Sequence, residues 1–488
     1  MYHNHDLSKF TDFNYDSRKV NENSIFIAIQ GEKTNGHNYL EDAVKKGAKL
    51  IVVQASEVKT NSDLKTLITK LKSQAEFIEV EDTRAELAKI ADEFYDHPSS
   101  KLEVIGVTGT NGKTTVTHLI QSILSHKNKC ALLGTIGLKT TPDADYKELG
   151  NTTPQAKELQ EIIKDLVDEK YKYLTMEVSS HALEQSRVGE IKFKTTIVTN
   201  LTQDHLDYHI TMDNYFEAKA KVLKQTKEFA VLNVDDPYYE RFRTKAQAES
   251  LKIITVGVDH SADYQAKEVK FTDAGLCYKL NGLEFKLKLN GLFNVYNSLS
   301  AIAACLQENL SLEEINNALK ETPAVSGRFE VIKETNSPFC IVDYAHSPDG
   351  LLNILKGAQA LVPKDSDTKV ICVFGCGGDR DITKRPKMGR IAYDLADFIY
   401  VTSDNPRSEE PEQIIADILT GIPDLAKVKV ITNRAEAIKE AVLHARAQDI
   451  LVIAGKGHEN YQILKDKTIH FDDREEVREA IKQLAAQA

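Results

Sequence analysis

The chain contains few cysteines and no long apolar run, and both absences narrow the class of protein. Its 488 residues include six cysteines, which are scattered apart from Cys372 and Cys376. No pair of cysteines has the spacing of a zinc site. A chain of this size can form a sufficient hydrophobic core without disulfides, so we expect no disulfide framework. No apolar run approaches membrane-spanning length, and Met1–Asp6 lacks the basic-then-apolar order of a secretory signal. We therefore expect a cytoplasmic protein without membrane insertion.

The chain also has fewer positively charged than negatively charged residues. The chain has 62 Lys and Arg residues against 73 Asp and Glu residues, which gives a formal net charge of −11. A nucleic acid partner requires a basic footprint, so we expect no nucleic acid binding. Local clusters of arginine and lysine can still hold small anionic substrates. The hydrophobic content of 41% and charged content of 28% are typical of a globular protein, and we expect a monomer that acts on small molecules.

The sequence divides into three consecutive blocks, each with an α/β pattern. A chain of 488 residues is also long enough for about three domains. The first, residues 1–98, alternates β-rich runs with helical segments and ends near His97–Ser100, a composition typical of linkers. The second, residues 99–328, begins with a glycine-rich turn. The third, residues 329–488, contains strand-like runs at Cys340–Asp343, Val370–Phe374, Phe398–Thr402, Val428–Thr432 and Ile450–Ala454. The alternation predicts an α/β protein of three domains, with a small N-terminal α/β domain, a central P-loop-type domain with a mostly parallel sheet, and a C-terminal Rossmann-like domain.

The glycine-rich turn Gly106–Thr115 predicts a phosphate site. It lies between a strand-like run and a helix-like segment, where backbone N–H groups and the helix dipole favour an anion. Lys113 can reach the outer phosphates, and the Thr114 hydroxyl can ligate Mg²⁺. The strict P-loop pattern would have glycine in place of Val107. The sequence therefore predicts ATP binding through a variant loop.

Two further strand ends carry residues suited to a magnesium site. Glu177 ends an apolar run, and His205 lies in the loop that follows Thr196–Thr199. Ligands of open parallel sheets bind at the carboxyl ends of the strands, and Mg²⁺ prefers oxygen ligands. A solvated glutamate and a surface histidine are the alternatives. Because all these strand ends would share one edge, we predict that Thr114 and Glu177 bind one ion and that His205 completes a second site.

Several longer motifs resemble those of the Mur ligases, ATP-dependent amide-forming enzymes of bacterial cell-wall synthesis. They cover nearly the whole chain and lie at Gly106–Thr115, Asn151–Pro154, Met176–Val188, Asn200–His209, Gly291–Asn297, Ser326–Arg328, Val342–His346, Gly375–Asp381, Asp404–Arg407 and Ala454–Glu459. Within that family the set is similar to the members that add the third amino acid to UDP-N-acetylmuramoyl-L-alanyl-D-glutamate. Ala182 and Ile210 depart from the resemblance, since glycine is common at both positions.

The resemblance implies a reaction with ATP and Mg²⁺ as cofactors. ATP phosphorylates the side-chain carboxylate of the substrate's D-glutamate, and an amine attacks the resulting acyl phosphate. Because negative charges must approach one another, a cation and a closed cleft are needed. The resemblance assigns catalytic roles to Lys113, Glu177, His205 and Lys219. Lys219 matches a family position that carries a carbamate (N6-carboxylysine), whereas the alternative is a solvated helix lysine.

The binding residues implied by the resemblance form three sets. The ATP set comprises Gly109, Thr110, Asn111, Gly112, Lys113, Thr114, Thr115, Asn294, Asn297, Arg328 and Asp343. The set for the UDP-muramoyl dipeptide, which the N-terminal domain helps to bind, comprises Ser17, Thr152, Thr153, Ser179, Gln185 and Arg187. The set for the incoming amino acid, in the C-terminal domain, comprises Arg380, Asp404, Asn405, Pro406, Arg407, Gly455 and Glu459. For Asn294 and Asn297, helix capping is the alternative role.

The chemistry of Arg407 predicts which amino acid is added. The remote end of meso-diaminopimelate carries a carboxylate and an ammonium group, whereas that of lysine carries only the ammonium. An arginine can bind the extra carboxylate through two hydrogen bonds, and in the family the motif Asp404–Arg407 accompanies addition of the diacid. A surface arginine is the alternative. An L-lysine-adding ligase, a folylpolyglutamate-synthase-like ligase and a noncatalytic ATP-binding scaffold also stay open.

Overall fold

The N-terminal part of the protein is built on a four-stranded parallel sheet. The structure, a computed structural model, describes residues 6–31, 34–272 and 274–487, so most of the stretch in which we expected no signal lies outside it. The sheet has the order β1-β2-β3-β4. Its strands are β1 (Phe13–Asn14), β2 (Ser24–Ile27), β3 (Ala48–Gln54) and β4 (Glu76–Val80), and its helices are α1 (Leu40–Lys45), α2 (Ala55–Thr60), α3 (Ser62–Leu71) and α4 (Thr83–Phe94).

The central part contains an eight-stranded sheet in the order β12-β11-β10-β9-β5-β8-β6-β7 and a three-stranded antiparallel sheet in the order β13-β14-β15. In the large sheet only the edge pair β6–β7 is antiparallel. The strands are β5 (Glu103–Thr108), β6 (Cys130–Leu133), β7 (Leu138–Lys139), β8 (Tyr173–Glu177), β9 (Phe193–Val198), β10 (Thr226–Asn233), β11 (Lys252–Gly257), β12 (Tyr264–Gln265), β13 (Lys267–Thr272), β14 (Gly275–Leu280) and β15 (Leu283–Leu287).

Among the described residues, eight helices accompany these central strands, and two of them cover the strand that leads into the glycine loop. They are α5 (Lys113–Ser125), α6 (Ala156–Asp168), α7 (Ser180–Glu184), α8 (Leu206–His209), α9 (Met212–Ala220), α10 (Tyr239–Ala248), α11 (Leu292–Leu306) and α12 (Leu312–Glu321). Helices α5 and α11 bury apolar side chains such as Ile120 and Val295 in one core with Ile105 of β5. Since apolar burial is the main source of stability, this core holds the start of α5 in place.

The C-terminal part has a six-stranded sheet in the order β16-β17-β21-β18-β19-β20, in which only the edge strand β16 is antiparallel, and a two-stranded hairpin. The strands are β16 (Glu330–Ile332), β17 (Phe339–Asp343), β18 (Val370–Phe374), β19 (Phe398–Val401), β20 (Val428–Val430), β21 (Ile450–Ala454), β22 (Tyr461–Ile463) and β23 (Thr468–His470). The helices are α13 (Pro348–Gln359), α14 (Lys384–Leu395), α15 (Pro411–Leu419), α16 (Arg434–His444) and α17 (Asp473–Gln487). All five predicted strand runs are confirmed.

Strand register brings the predicted site residues to common edges. Glu177 pairs with Val107 of β5, and Val198 of β9 pairs with Thr108, so three loops leave the central sheet side by side. In the C-terminal sheet, Asp343 pairs with Ala454. The prediction of a shared edge is therefore confirmed. The predicted domain boundaries after residues 98 and 328 stay predictions. Within the described ranges, we find no helix with the length and apolarity needed to span a bilayer.

Candidate active site

The glycine loop between β5 and α5 has the backbone geometry of an anion site. Gly109 and Gly112 have φ angles of +144° and +87°, which favour glycine. A Cβ atom on Gly109 would lie 1.9 Å from Thr199 Oγ1, and one on Gly112 would lie 2.2 Å from Asn297 Oδ1. The loop thus requires glycine at both positions for conformation and for space. Helix α5 begins at Lys113, so its N-terminus faces the loop and favours phosphate.

Glu177 lies at the end of β8 beside the first turn of α5. Its Oε1 accepts hydrogen bonds from the Thr114 hydroxyl at 2.9 Å and from the Thr135 amide at 3.0 Å, and Oε2 accepts one from the Thr135 hydroxyl at 2.9 Å. Arg328 Nη2 donates to the same Thr114 hydroxyl at 3.1 Å. A carboxylate that is only 1% exposed and bonded to neutral donors suits a hard cation. The oxygen set of Thr114 and Glu177 therefore fits Mg²⁺.

His205 lies on a separate loop next to a buried carboxylate. Its backbone is left-handed, with φ of +53°, and its Nε2 lies 3.5 Å from Asp204 Oδ2. His346 of the C-terminal part approaches the same oxygen at 3.7 Å. Burial lowers the pKa of His205 to about 3, so at neutral pH the imidazole is uncharged and can offer a ring nitrogen to a metal ion. His205 and Glu177 line different cavities, and the two ion sites stay a prediction.

Lys219 on α9 is buried against the glycine loop. Its Nζ donates to the Gly109 carbonyl at 2.8 Å, and Lys113 Nζ donates to the same carbonyl at 2.9 Å. Burial, reinforced by Lys113, lowers the pKa of Lys219 well below its ordinary value. Burial also lowers the pKa of Lys113. Lys219 is only 1% exposed and so is not a solvated lysine, whereas the carbamate stays a prediction.

A cavity of about 130 Å³ lies between the glycine loop and the C-terminal part. Most of the predicted ATP set lines it, namely Thr110, Asn111, Gly112, Lys113, Thr114, Thr115, Asn297, Arg328 and Asp343. Gly109 and Asn294 do not. Asn294 is fully buried, and its Oδ1 accepts a hydrogen bond from Asn297 Nδ2 at 2.9 Å. Asn294 therefore orients its partner, and only Asn297 faces the cavity.

A second cavity, of about 760 Å³, extends from the glycine loop to the N-terminal part. Four residues of the predicted muramoyl set line it, namely Thr152, Ser179, Gln185 and Arg187. Thr153 is instead buried, and its hydroxyl donates to the Glu177 carbonyl at 2.9 Å. Ser17 lies in a short 3-10 turn and does not line the cavity, although its carbonyl accepts a hydrogen bond from Lys46 at 3.1 Å. The structure thus brings four of the six residues together.

A third cavity, of about 170 Å³, lies at the carboxyl edge of the C-terminal sheet. All of the predicted amino-acid set except Pro406 lines it, namely Arg380, Asp404, Asn405, Arg407, Gly455 and Glu459. Arg407 Nη1 donates to the carbonyl oxygens of Gly378 at 2.8 Å and Asn405 at 3.3 Å. Neither acceptor is a carboxylate, so its guanidinium keeps donors for an anion in the cavity.

Acidic residues line this cavity together with its arginines. Glu459 Oε2 accepts hydrogen bonds from the buried Lys456 at 3.0 Å and from Asn405 Nδ2 at 3.0 Å. A Cβ atom on Gly455 would lie 2.5 Å from Asp404 Oδ2, so the glycine makes room for that carboxylate. The cavity therefore presents guanidinium and carboxylate groups together, an arrangement that suits a ligand with both charges.

Sequence reasoning missed several cavity residues. Tyr344 and His346 line all three cavities, and the Arg328 guanidinium lies 4.5 Å from the Tyr344 ring centroid. Both residues follow β17 at the sheet edge that the strand pattern predicts, so the sequence could have identified them as candidate site residues. Arg84 lines the second cavity, named the muramoyl cavity after its predicted ligand, and Asn353 lines the first, named the nucleotide cavity in the same way. Both residues lie on helices that carry no recognisable motif.

Three family models match the chain in sequence order. The Mur ligase family catalytic domain matches residues 10–95, the Mur ligase middle domain matches residues 107–305, and the Mur ligase glutamate ligase domain matches residues 327–457. Together they account for most of the chain.

Similar proteins cover nearly its full length. The UDP-N-acetylmuramoyl-L-alanyl-D-glutamate–2,6-diaminopimelate ligase 1 of Clostridium acetobutylicum is 46% identical over 481 residues, which covers 96% of this chain and 94% of that protein. The corresponding ligase of Clostridium botulinum is 43% identical over 484 residues, with 96% and 95% covered. A solved structure of a ligase of the same name superposes with a TM-score of 0.66 at 35% identity and covers 98% and 95% of the two chains. Matched from its first domain to its last, the chain belongs to the Mur ligase family of ATP-dependent ligases.

Proposed function

We propose that this ligase adds meso-2,6-diaminopimelate to the D-glutamate side-chain carboxylate of UDP-N-acetylmuramoyl-L-alanyl-D-glutamate, in peptidoglycan precursor synthesis. The observation that carries the proposal is the third cavity, here named the amino-acid cavity, which Arg407 and Arg380 line together with Asp404 and Glu459. The relatives above are named for the same addition.

Charge in the cavity favours the diacid over lysine. The remote end of diaminopimelate carries a carboxylate and an ammonium group, which need a cationic and an anionic partner. The guanidinium of Arg407 supplies the first through a planar pair of donors, and Asp404 and Glu459 supply the second. L-Lysine would leave Arg407 without an anionic partner in a partly buried cavity, and such a loss costs affinity.

The nucleotide cavity and the muramoyl cavity hold the other two reactants side by side. A carboxylate oxygen of the D-glutamate side chain attacks the γ-phosphorus of ATP, and ADP leaves with the electron pair of the broken P–O bond. The amine of diaminopimelate then attacks the acyl carbon, inorganic phosphate leaves, and the new amide nitrogen loses a proton. Lys113 stabilises the charge that builds up between the phosphates and the carboxylate.

Mg²⁺ would neutralise charge on the transferred phosphoryl group when bound. Thr114 and Glu177 offer one set of ligands, and His205 with Lys219 as a carbamate offers a second. The remaining residues bind and orient the reactants, and Tyr344 and His346, which line all three cavities, help to exclude water from the acyl phosphate.

We propose that Lys219 carries the carbamate because its environment favours an uncharged amine. Such an amine adds CO2 to form the carbamate and releases one proton. The product is an anion beside Lys113, where an ammonium group would be repelled. Lys219→Ala should lose most activity, and added formate or acetate should restore part of that activity by supplying an anion. Lys221→Ala, at an exposed lysine, is the control, and its activity should not change when formate or acetate is added. Full activity of Lys219→Ala, or no response of the native enzyme to removal of bicarbonate, would contradict the carbamate.

Phosphate release tests the proposed reaction directly. The purified protein is given ATP, Mg²⁺ and UDP-N-acetylmuramoyl-L-alanyl-D-glutamate, with either meso-diaminopimelate or L-lysine as the amine. We expect rapid phosphate release only with diaminopimelate and the UDP substrate together, and a product mass that corresponds to the tripeptide. Preference for L-lysine would identify the lysine-adding ligase, release with a folate substrate would identify a folylpolyglutamate synthase, and no release with any of them would favour a noncatalytic protein.

We also propose the arrangement of the whole enzyme. Its domains comprise residues 1–98, 99–328 and 329–488. It acts in the cytoplasm, because its nucleotide-linked substrates are soluble anions, and it acts as a monomer. Light scattering coupled to size exclusion should give one mass near 54.6 kDa; a mass twice as large would contradict the monomer.

A further inference from the structure

Lys384 is a buried lysine at the start of α14, on the wall of the amino-acid cavity. It is only 6% exposed and lines the cavity, and its Nζ donates to the His346 carbonyl at 2.9 Å. An ammonium group carries three donors. Among the described residues, no carboxylate lies within 4.0 Å of this one. Lys384 therefore presents a charge that the protein does not neutralise, together with further donors.

Other buried cations of the C-terminal part are neutralised by the protein itself. Among the described residues of this part, three more lysines and arginines are buried. Each forms an ion pair with a carboxylate at 3.0 Å or less, namely Arg385 with Asp417, Arg434 with Asp473 and Lys456 with Glu459. A buried charge without a partner is destabilising. The exception at Lys384 indicates that its anion comes from a ligand in the cavity.

The position of Lys384 in its helix adds a second unfavourable effect. It is the first residue of the 12-residue helix α14, whose first turn contains no acidic residue. The N-terminus of a helix carries a partial positive charge, which disfavours a cation and favours an anion. Neither burial nor the helix therefore explains this lysine by a gain in stability. A bound anion would compensate the ammonium group and the helix terminus together.

The hydrogen bond from Lys384 to His346 places the ammonium group beside the junction of the three cavities. His346 lines all three, and its Nε2 lies 3.7 Å from Oδ2 of Asp204, the residue before His205. The amine of the incoming amino acid must reach this junction, because the acyl phosphate forms between the nucleotide cavity and the muramoyl cavity. The carboxylate on the carbon that bears this amine then comes close to Lys384, and the remote carboxylate is left for Arg407.

We propose that Lys384 binds the carboxylate next to the reacting amine of the incoming amino acid. Its ammonium group donates charge-assisted hydrogen bonds to this carboxylate and so orients the amine toward the acyl carbon. Diaminopimelate and L-lysine share this carboxylate, whereas the carboxylate assigned to Arg407 belongs to diaminopimelate alone. Lys384 thus recognises the α-amino acid group, and Arg407 selects the diacid. The inference rests on the proposed function and adds a residue to its amino-acid site.

Lys384→Met tests the assignment, because methionine keeps an unbranched apolar side chain and lacks the charge. KM for diaminopimelate, measured by phosphate release, should rise about 10- to 100-fold. The inhibition constant of L-lysine against diaminopimelate should rise by the same factor, whereas Arg407→Lys should raise only the KM for diaminopimelate. KM for ATP should keep its native value in both variants. The matched control is Lys439→Met, at an exposed lysine on α16, which should change none of these constants.

Three results would overturn the proposal. The first is an unchanged KM for diaminopimelate in Lys384→Met, or a change in KM for ATP instead. The second is an unchanged inhibition constant for L-lysine, because Lys384 would then contact the remote carboxylate. The third comes from thermal unfolding. Since the lysine is unfavourable where it lies, Lys384→Met should melt at or above the native temperature, and a melting temperature several degrees lower would assign this residue to the stability of the fold.

Binding without turnover separates this inference from the proposed function. Calorimetry with diaminopimelate in the presence of ADP should show the same loss of affinity in Lys384→Met. That loss, in a protein whose native form does not ligate, would support the inference and refute the function. Normal ligation by the native protein, with native affinity for diaminopimelate in Lys384→Met, would support the function and refute the inference.

Discussion

At the scale of single residues, Arg407 shows how closely packed surroundings aim a side chain. Its backbone is left-handed, with φ of +53°. A Cβ atom on Gly377 would lie 2.8 Å from Arg407 Nη1, and one on Gly378 would lie 2.0 Å from the Pro406 carbonyl oxygen. Two glycines of one loop therefore make room for the arginine of another. The guanidinium reaches the amino-acid cavity only because both loops keep this geometry.

Arg407→Lys should weaken diaminopimelate binding, because lysine keeps the charge and loses the paired donors. We expect KM for diaminopimelate to rise about 10- to 100-fold with a smaller change in kcat, as for lost hydrogen bonds to a charged group. Steady-state phosphate release checks this. Arg390→Lys, at an exposed arginine on α14 paired with Asp394, is the control and should behave as the native enzyme. An unchanged KM in the Arg407 variant would mean that the substrate carboxylate binds elsewhere.

Gly112→Ala should abolish nucleotide binding. The added Cβ would lie 2.2 Å from Asn297 Oδ1, and the φ angle of +87° is costly for alanine. Gly282→Ala separates the two effects, because its φ is +84° but nothing lies within 4 Å of the added Cβ. Gly282→Ala should lose about 1 kcal/mol of stability from the positive φ alone, Gly112→Ala should lose at least as much, and only Gly112→Ala should lose ADP affinity by calorimetry. Equal ADP affinities of Gly112→Ala and Gly282→Ala would show that the glycine loop tolerates the added Cβ atom.

Much of the site at this scale follows from strand ends. Glu177 and His205 could be predicted because an apolar run stops just before each loop, and the sheet brings such ends together. The roles of Asn294 and Thr153 could not be separated from those of Asn297 and Thr152. Which of two neighbouring polar side chains faces a cavity depends on packing that sequence spacing does not encode.

At the scale of elements, the loop around α8 is bounded by residues in left-handed conformations. His205 precedes the helix with φ of +53°, and Ile210 follows it with φ of +68°. A β-branched residue is poorly suited to that region, and Ile210 is 71% exposed, so no burial compensates for the strain. By contrast, Ala182, the other departure from the family pattern, lies in α7 and is fully buried.

Ile210→Gly should therefore stabilise the protein by about 1 kcal/mol, since glycine adopts positive φ without a steric penalty. Ile382→Gly is the control, because Ile382 is also exposed, at 60%, and has no positive φ. There, glycine should be neutral or destabilising. Thermal unfolding monitored by circular dichroism measures both. A lower melting temperature for Ile210→Gly than for the native protein would show that the loop is not strained at this position.

The parallel sheets could be predicted at this scale better than the antiparallel ones. Buried parallel strands such as β18 and β21 form continuous apolar runs, which sequence patterns reveal. The small sheet β13–β15 and the hairpin β22–β23 alternate in burial and contain many lysines or polar residues, so no comparable run marks them. The edge strand β16 has only three residues, too few to produce a pattern.

At the scale of the whole molecule, polar contacts join the central and C-terminal domains around the nucleotide cavity. Asn111 Nδ2 donates to Asp349 at 2.7 Å. Further along the same junction, Gln203 Nε2 donates to Asp381 at 3.3 Å. The number and order of the domains could be predicted from length and motifs. These contacts could not, because each joins residues far apart in sequence.

Acid should destabilise the molecule partly through His118 on α5. Its Nδ1 donates to the Thr114 carbonyl at 2.6 Å, its Nε2 is bonded to the Tyr146 hydroxyl, and burial lowers its pKa to about 4. The unfolded chain, with a pKa near 6.5, takes up this proton first as pH falls. The contribution to stability is therefore complete above about pH 6.5 and is lost progressively down to about pH 4.

Between pH 6.5 and pH 4, the free energy of unfolding should therefore fall less steeply with pH in His118→Gln than in the native protein. The two slopes should differ by less than about 1.4 kcal/mol per pH unit, the limit for one titrating group. Urea unfolding at a series of pH values measures it. His444→Gln, at an exposed histidine, is the control and should keep the native slope. Identical slopes for the native protein and His118→Gln would mean that this imidazole does not contribute to acid sensitivity.

The three cavities meet at Tyr344 and His346, and this junction has a consequence for inhibitor design. A compound confined to one cavity competes with a single reactant and can be displaced when that reactant accumulates. A compound that joins a peptide-like end to a diacid end through a tetrahedral phosphorus group would pass the junction and compete with two reactants at once. Its affinity would gain from linkage of two binding modules, and Arg407 would restrict it to ligases that accept the diacid.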